Sequence, residues 1–580
     1  MIFKNYINLG FSKILKLATK NNIALKNSEE AEYKKLVSHK SPFNGDFNQT
    51  HINRICGSPE HFIDIMLWPC NTFAICASFL DMKGDYRQLI TGEIANGWTL
   101  KDKEQVNFIG NKWYEFISTP LFELDSLNTD ELINCISKVF KYSNLIKDID
   151  VLRNDSEFKK DLLILCLAAD RCFHEVDVLS AFDDTISGRA AEFLSIKYKN
   201  QFFQLSMTDE SFGAIHYKSS ICQSGISLNS ISQKLAYIGP EINLTYAEKL
   251  VPESKRVRDT YNILILPWPK EIQRDCFKPV NGQNMLEMTE DFDFFEYAPI
   301  DEINPQDVIN CFENSIEEIG DIDIIVLPEC AVSSLTSKLI KEGLNKYCVA
   351  TETPFPTIIT GVYEKGNKDN YGKNKLELSF LSDTYGPEPA EVETVSQNKH
   401  HRWFLDRPQI YNYKLGNMLS PRSKWWEYTS VTDRTLVSYY CQEHKVQISP
   451  LICEDLARQD PVAPVVRALG PDLIVALLLD GGQIKGRWSG RYASFLSEDP
   501  GSSVLTVSPL GMTLRSDGTG FAPSRCVAFW SEEGFYKELE LEKGKEGIIL
   551  TLEKSKLKQW SADGRNTEKM NLKYAGHVCI

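Results

Sequence analysis

The sequence contains 580 residues with a mass of 66.0 kDa, which exceeds one ordinary hydrophobic core and predicts about two to four folding units. Hydrophobic residues make up 42% of the chain and charged residues 25%, a balance that excludes a mostly disordered chain, a collagen-like rod and a coiled-coil rod. Acidic residues outnumber basic ones by 79 to 64, and the net charge of −15 argues against general binding to nucleic-acid backbones.

The first predicted element is a helix over residues 2–18. Its apolar side chains recur at helical spacing, with lysines between them. The pattern is compatible with a membrane-surface helix or a targeting peptide, and also with a helix that docks on its own domain; we favour the docked helix. The apolar positions are Ile7, Phe11, Ile14, Leu15 and Ala18.

The remainder of the first half is predicted to be mainly helical. Apolar residues at three- and four-residue steps predict helices over Asp130–Leu145 and Ser156–Ala169. Aromatic and alternating residues predict short strands at Phe202–Met207 and Phe212–Tyr217. These features predict a helical N-terminal domain of unknown role over residues 1–250.

A short polar segment, Val251–Asp259, predicts a domain boundary. Beyond it, buried strands alternate with helices, which predicts an α/β layered domain over residues 257–580. The predicted helix is Pro305–Glu318, and the predicted strands are Asn262–Leu266, Asp323–Leu327, Thr357–Val362, Leu376–Leu381, Leu436–Tyr440, Val446–Ile452, Leu473–Leu478 and Ser503–Val507.

The cysteine pattern and the lengths of the apolar stretches bear on location. Fifteen cysteines, an odd number without repeated spacing, indicate free thiols in a reducing cytosol. The longest apolar stretches, Leu162–Ala169 and Leu473–Leu479, are far shorter than the ~18–20 residues of a membrane span. The sequence therefore predicts a cytoplasmic protein that does not bind membranes.

Three residues at predicted strand ends have complementary chemistry. Glu329 ends the strand IIVLPE, where partial burial gives a carboxylate the raised pKa of a general base. Cys453 follows the strand QISPLI, where backbone N–H groups of a turn can stabilise a thiolate and later an oxyanion. Lys399 ends the strand-like run that begins at Val392, and an ammonium beside a thiol lowers the pKa of that thiol.

Together these residues resemble the nitrilase, or carbon–nitrogen hydrolase, superfamily. The resemblance rests on LPE at 327–329, NKHH at 398–401 and ICED at 452–455, and it covers residues 257–530. Further segments that resemble the family are PDLIVALLLDGG at 471–482, SSVLTVSPLGM at 502–512, and the RWSGRYAS segment that contains Trp488 and Arg491.

The resemblance implies a four-layer α-β-β-α sandwich in which Glu329, Lys399 and Cys453 meet at one end of the sheets. It implies that Cys453 is the nucleophile, that Glu329 is the base, and that Lys399 and the backbone N–H of Glu454 stabilise the oxyanion. Trp488 and Arg491 would help to form the pocket. No metal or organic cofactor is expected for this chemistry.

Several points depart from the family pattern or stay open. Lys414, in IYNYKLG, is an alternative catalytic lysine. The nearest acid after Lys399 is Asp406, so a helper glutamate is not evident. Glu454 predicts either an acidic pocket for an amine-bearing substrate or a salt bridge with Arg402 or Arg458.

The sequence supports two hypotheses of function. The first is a thiol-dependent hydrolase that cleaves a non-peptide carbon–nitrogen bond in a small molecule, an amide rather than a nitrile. The second is a nitrilase-like assembly or sensing module of a bacterial antiviral defence system. Under either hypothesis we expect a homo-oligomer. Nucleic acid is not an expected partner, although the N-terminal domain leaves that contact open.

Overall fold

The structure is a computed structural model, and its chain divides into two compact units. Unit 1 comprises Met1–Ile242, Arg467–Leu469 and Lys558–Thr567; unit 2 comprises Asn243–Val466, Gly470–Leu557 and Glu568–Ile580. The described residues are 1–10, 66–84, 86–93, 97–174, 185–188, 190, 194, 204–223, 225–249, 259–280, 291–367, 370–382, 391–441, 445–516 and 522–580. The predicted boundary segment lies outside them from residue 251 to residue 258.

The described part of unit 1 contains helices and one antiparallel pair of short strands. The helices are α1 (Phe3–Gly10), α2 (Pro69–Asp81), α3 (Tyr86–Thr91), α4 (Leu100–Ser118), α5 (Asp130–Phe140), α6 (Tyr142–Leu145), α7 (Ile149–Asn154), α8 (Ser156–Cys172) and α9 (Leu228–Ile231), and the strands are β1 (Ala214–Tyr217) and β2 (Leu235–Ile238). Residues 11–18 of the predicted first helix lie outside the described part.

Helix α8 is central to unit 1 because it packs against α2, α4 and α5. Its first turn is capped by Asp155, whose side chain accepts a hydrogen bond from the N–H of Phe158. Its apolar residues join one core with those of α2 and α4. None of the described helices combines the length and the apolar composition needed to cross a bilayer.

The C-terminal segment Lys558–Thr567 completes unit 1 through hydrogen bonds within that unit. Arg565 donates from Nη2 to the carbonyl of Ile231 at 2.9 Å, and it pairs through Nε with Asp563 at 2.6 Å. The N–H of Ala562 donates to the carbonyl of Ser230 at 2.7 Å. Unit 1 is therefore built from parts of the chain that are far apart in sequence.

Two predicted elements of unit 1 differ from the structure. The helix predicted over Asp130–Leu145 is broken at Lys141, whose backbone is extended. The part of the predicted strand Phe202–Met207 that is described, from residue 204, is irregular. Its N–H groups have partners without a regular ladder: the N–H of Leu205 donates to the carbonyl of Ile215 in β1 at 2.8 Å, and the N–H of Met207 donates to Oδ1 of Asn71 at 2.6 Å.

Unit 2 contains two seven-stranded sheets and one four-stranded sheet. Sheet A has the order β10-β9-β8-β7-β4-β19-β20, sheet B the order β18-β17-β16-β15-β14-β13-β3, and sheet C the order β11-β12-β6-β5. The strands are β3 (Asn243–Lys249), β4 (Thr260–Ile265), β5 (Phe277–Pro279), β6 (Phe292–Tyr297), β7 (Ile324–Ser333), β8 (Thr357–Glu364), β9 (Lys373–Ser382), β10 (Glu391–Asn398), β11 (Phe404–Leu405), β12 (Lys424–Glu427), β13 (Thr435–Cys441), β14 (Val446–Ile452), β15 (Leu473–Leu477), β16 (Ser503–Val507), β17 (Cys526–Glu532), β18 (Phe535–Glu540), β19 (Ile548–Trp560) and β20 (Asn566–Cys579).

Sheets A and B share one apolar cluster, to which strands of both sheets contribute. Helices α10 (Pro305–Ile319) and α11 (Ser334–Thr351) join a second cluster with the other face of sheet A. Helix α14 (Trp488–Glu498) contacts β16 and β17 of sheet B. The remaining described helices of unit 2 are α12 (Arg407–Asn412), α13 (Val462–Leu469), whose last three residues belong to unit 1, and α15 (Leu510–Thr513).

The parallel strands of unit 2 form where the sequence has continuous apolar runs. Strands β4, β7 and β8 are parallel neighbours in sheet A, and β14, β15 and β16 are parallel neighbours in sheet B. Strands that are buried on both faces are expected to be apolar at every position rather than at alternate positions. The predicted strands in these six places are therefore present in the structure.

Strand β7 contains an irregularity that sets the direction of its last residues. Its pairing with β8 shifts register between Leu327 and Val332, and Cys330 within the shift has a left-handed φ of 51°. Gly361 of β8 lies directly against this bulge: a Cβ on Gly361 would lie 2.3 Å from the carbonyl oxygen of Pro328 and 2.5 Å from Cα of Glu329. Because Gly361 has no side chain, the backbone of Glu329 can approach β8 closely at the bulge.

We expect Gly361→Ala to lower the free energy of unfolding by about 3 kcal/mol, because backbone atoms cannot move aside as a flexible side chain can. Urea unfolding monitored by tryptophan fluorescence measures the change. The matched control is Gly416→Ala, whose added Cβ would meet no atom closer than 3.8 Å and should change stability by less than about 0.5 kcal/mol. Equal losses in the two variants would contradict a special role for Gly361.

Candidate active site

Four side chains at or next to strand ends form the candidate active site of unit 2. Glu329 lies in the bulge of β7, Lys399 directly follows β10, Glu427 ends β12, and Cys453 directly follows β14. All four are buried, with Lys399 0% and Cys453 4% exposed. The sequence analysis named three of them and missed Glu427.

Lys399 lies between two carboxylates. Its Nζ is 2.8 Å from Oε1 of Glu329 and 2.8 Å from Oε2 of Glu427. Asn374 of β9 connects the same two carboxylates from another side, donating from Nδ2 to Oε1 of Glu329 at 2.8 Å and to Oε1 of Glu427 at 2.7 Å. The result is a closed hydrogen-bonded ring of four buried side chains.

Backbone hydrogen bonds hold the members of this ring in place. The N–H of Lys399 donates to the carbonyl of Asn374 at 2.8 Å. The N–H of Trp403 donates to Oε2 of Glu427 at 3.0 Å, and the N–H of Glu427 donates to the carbonyl of Trp403 at 2.9 Å. The segment after Lys399 is thereby fastened to β12, which brings Glu427 to the ammonium.

The electrostatics of the ring keep Lys399 charged. Burial opposes the charged form, but the negative charges of Glu329 and Glu427 outweigh it and raise the pKa of Lys399 well above its usual value. The pKa of Glu329 is raised, chiefly by burial and also by repulsion from Glu427, while Lys399 acts in the opposite direction. Glu329 is therefore a carboxylate that accepts a proton more readily than an exposed glutamate.

Cys453 is held in an unusual backbone conformation. Its φ of 47° is left-handed, which costs a non-glycine residue about 1–3 kcal/mol and is concentrated at functional sites. The residue starts a short 3₁₀ turn, Cys453–Leu456, at the end of β14. The strand-to-turn position predicted from the sequence is present.

The thiol of Cys453 is protonated at rest. Burial raises its pKa well above the usual value, and the negative charge of Glu329 raises it further, whereas Lys399 lowers it. Glu329 and Lys399 are thus the leading charged groups that act on this sulfur. The other oxygen of Glu329, Oε2, is buried and has no hydrogen-bond partner among the described residues, so it is available to accept a proton.

The remaining predicted site residues lie in different environments. Glu454 is partly buried and its carboxylate is bound by Arg458, with 3.0 Å from Nε to Oε2. Trp488 begins α14 and donates from Nε1 to Oδ2 of Asp480 at 2.8 Å.

Arg491, one turn further along α14, is exposed. Lys414 is also exposed and has a left-handed φ of 55°, in contrast to the buried Lys399.

Asp480 organises the loop after β15 and was not named from the sequence. Its carboxylate accepts hydrogen bonds from Nη2 of Arg487 at 2.6 Å, from the hydroxyl of Tyr413, and from Trp488. Its negative charge also acts on Cys453 and raises the pKa of the thiol. Arg487, rather than Arg491, is therefore the arginine that is buried at this loop.

Three side chains of a type that can bind metal ions lie close together at the ring. Among the described residues, ligand atoms of Glu329, Cys330 and Glu427 lie within 4.8 Å of one another. The ammonium of Lys399 already binds the carboxylates of both glutamates at 2.8 Å, so a metal ion there would meet the repulsion of that positive charge. The donor set does not fit a metal ion while Lys399 is charged.

No protein-family model and no curated protein matches the sequence. Among solved structures, the chain is similar to Saccharomyces cerevisiae Nit3, described as a member of branch 10 of the nitrilase superfamily. The identity is 12%, the match covers 56% of this chain and 91% of that chain, and the TM-score is 0.27. A TM-score of this size supports neither a shared fold nor a shared activity, so the function proposed below rests on the geometry of the four side chains.

We expect Lys399→Met to lower the free energy of unfolding by about 3–5 kcal/mol at pH 8, because it leaves two buried carboxylates without their cation. The loss should be smaller at pH 5, since the raised pKa of Glu329 favours its protonation, which removes its repulsion with Glu427. Urea unfolding at both pH values measures this. Lys414→Met, which changes an exposed lysine, should alter stability by less than about 0.5 kcal/mol. Equal losses would contradict the assignment of Lys399 as the buried cation.

Proposed function

We propose that unit 2 is a thiol-dependent hydrolase that cleaves a non-peptide carbon–nitrogen bond, with Cys453 as nucleophile, Glu329 as general base and acid, and Lys399 as oxyanion stabiliser. The observation that carries the proposal is the environment of Cys453: a buried thiol acted on by a fixed ammonium and by a carboxylate with one unpartnered oxygen. A nucleophile, a base and a cation held together by strand ends are the parts that acyl transfer requires.

In the first half of the reaction, the sulfur of Cys453 attacks the carbonyl carbon of an amide while its proton passes to Oε2 of Glu329. The carbonyl oxygen becomes an oxyanion, which the ammonium of Lys399 and the backbone N–H of Glu454 would stabilise. Glu329 then gives the proton to the nitrogen, the carbon–nitrogen bond breaks, and an amine or ammonia leaves. Cys453 now carries the acyl group as a thioester.

In the second half, water attacks the thioester carbon and gives a proton to Glu329. The carbon–sulfur bond breaks, the sulfur recovers that proton from Glu329, and the acyl group leaves as a carboxylic acid. Each proton taken by Glu329 is returned, so the site ends as it began. Throughout the cycle Glu427 would keep Lys399 charged and oriented, which makes Glu427 the helper carboxylate that the sequence left unassigned.

The site favours a small substrate. Cys453 is 4% exposed, so only a slender group can reach its sulfur. Because Glu454 is bound by Arg458, its charge offers no separate support for an amine-bearing substrate. We propose an amide rather than a nitrile, because nitriles are scarce among metabolites.

We also infer that unit 2 forms a four-layer α-β-β-α sandwich. The shared apolar cluster of sheets A and B supports the two inner layers, and the packing of α10, α11 and α14 on the outer faces supports the other two. The role of unit 1, the homo-oligomeric state, the cytoplasmic location and the antiviral assembly or sensing role stay predictions from the sequence.

We expect Glu329→Gln to change two measurements in opposite directions. The variant removes a negative charge that raises the pKa of Cys453, so a larger fraction of this residue should be thiolate. The rate of iodoacetamide alkylation of Cys453 should rise about tenfold for each pH unit by which that pKa falls. Loss of the group that carries the proton should decrease ammonia release from a panel of short aliphatic amides by at least about a hundredfold. Peptide mass spectrometry and an ammonia assay provide the two measurements.

Two controls make the result decisive. Cys453→Ala should release no ammonia from any amide of the panel that the wild type hydrolyses, and Cys348, which is also 4% exposed, provides an internal alkylation standard in every digest. If Glu329→Gln leaves both alkylation and ammonia release unchanged, Glu329 is not the base. If Cys453→Ala retains full activity, the thiol mechanism is wrong.

A further inference from the structure

Asp455 connects the segment of Lys399 to the turn of Cys453. It is completely buried and lies two residues after Cys453 in the same 3₁₀ turn. Its carboxylate contacts the backbone N–H of His400 at 3.2 Å, Nδ1 of His400 at 3.0 Å and Nδ1 of His401 at 2.9 Å. His400 is the residue directly after Lys399, so one carboxylate holds the neighbours of both the ammonium and the thiol.

Both ring nitrogens of His400 lie against acceptor groups. Nδ1 contacts the carboxylate of Asp455, and Nε2 contacts the carbonyl oxygen of Thr435 at 3.2 Å. The imidazole ring of His400 is thus held between β13 and the turn of Cys453. Asp455 is an anion in this arrangement: although burial acts against the charge, the hydrogen bonds from His400 and His401 lower its pKa.

The charged groups around this contact are few among the described residues. His401 is partly exposed, at 28% of its side chain. Asp460 lies near enough to both histidines for their charges to act on it, and it is itself paired with Arg434 at 2.6 Å. Lys399, the next residue along the chain, is neutralised by its own two carboxylates.

We propose that Asp455 is a positioning residue, which sets the distance between the Lys399 ammonium and the Cys453 sulfur by fastening the two strand ends to each other. The inference rests on the proposed function. A left-handed residue such as Cys453 keeps its conformation only when its surroundings hold it there, and Asp455 supplies three contacts across to the other strand end. Small displacements of reacting groups cost large factors in rate, so the position of the thiol relative to the ammonium should affect the rate.

The test is the pH profile of Cys453 alkylation by iodoacetamide in the full-length protein. In Asp455→Asn the Lys399 segment is held less tightly, so the cation that lowers the pKa of the thiol is lost in part. We expect the midpoint of the profile to move up by about one pH unit and the rate at pH 8 to fall about tenfold. The matched control is Asp460→Asn, which removes the same charge near the same histidines and should leave the profile unchanged.

The outcomes separate positioning from a purely structural role. A variant that is merely less stable melts at lower temperature with an unchanged profile, and that result would overturn the proposal. If Asp455→Asn does not fold, His401→Gln is the second variant, because it removes one partly exposed contact with Asp455. The midpoint of its alkylation profile should move up by a smaller amount. No movement of that midpoint would also overturn the proposal. Failure of the proposed function would show in a different variant. In that case Glu329→Gln, which keeps the native Asp455, would leave both Cys453 alkylation and ammonia release unchanged.

Discussion

The candidate site depends on one buried ammonium. Lys399 has no exposure to solvent and lies 2.8 Å from each of two carboxylates. A buried charge without partners costs several kcal/mol, so this lysine can be present only because Glu329 and Glu427 surround it. In turn, the two carboxylates could not lie so close without the cation. The burial of each of these three charged side chains therefore depends on the other two.

The interacting side chains come from strands of three different sheets of unit 2. Glu329 comes from sheet A, Glu427 from sheet C and Cys453 from the end of a sheet B strand. The bulge of β7 directs Glu329, and a glycine on the neighbouring strand leaves room for that bulge. The site is therefore a product of how three sheets terminate, and no single motif of the sequence contains it.

Sequence reasoning identified the parts that are local and missed those that depend on pairing between distant strands. Apolar runs that predict buried strands lead to Glu329 and Cys453, and a strand-like but mostly exposed run leads to Lys399; the structure has strands at all three places. Glu427 was missed because it lies 28 residues after Lys399 and is brought back by the parallel pairing of β12 with β6. The nearer acid, Asp406, caps α12 through the N–H of Gln409 instead. Arg487 was missed for a similar reason, because nothing in its local sequence distinguishes it from Arg491.

The composition of unit 1 has a consequence for how the protein can be divided. Residues 558–567 belong to unit 1, and within it Arg565 and Ala562 bind the carbonyls of Ile231 and Ser230. Truncation after residue 242 would therefore separate residues 1–242 from residues 558–567 and remove these hydrogen bonds. The buried Arg565–Asp563 pair would then lose its contacts with the rest of unit 1. Unit 1 would therefore have to be expressed together with residues 558–567 to keep these contacts.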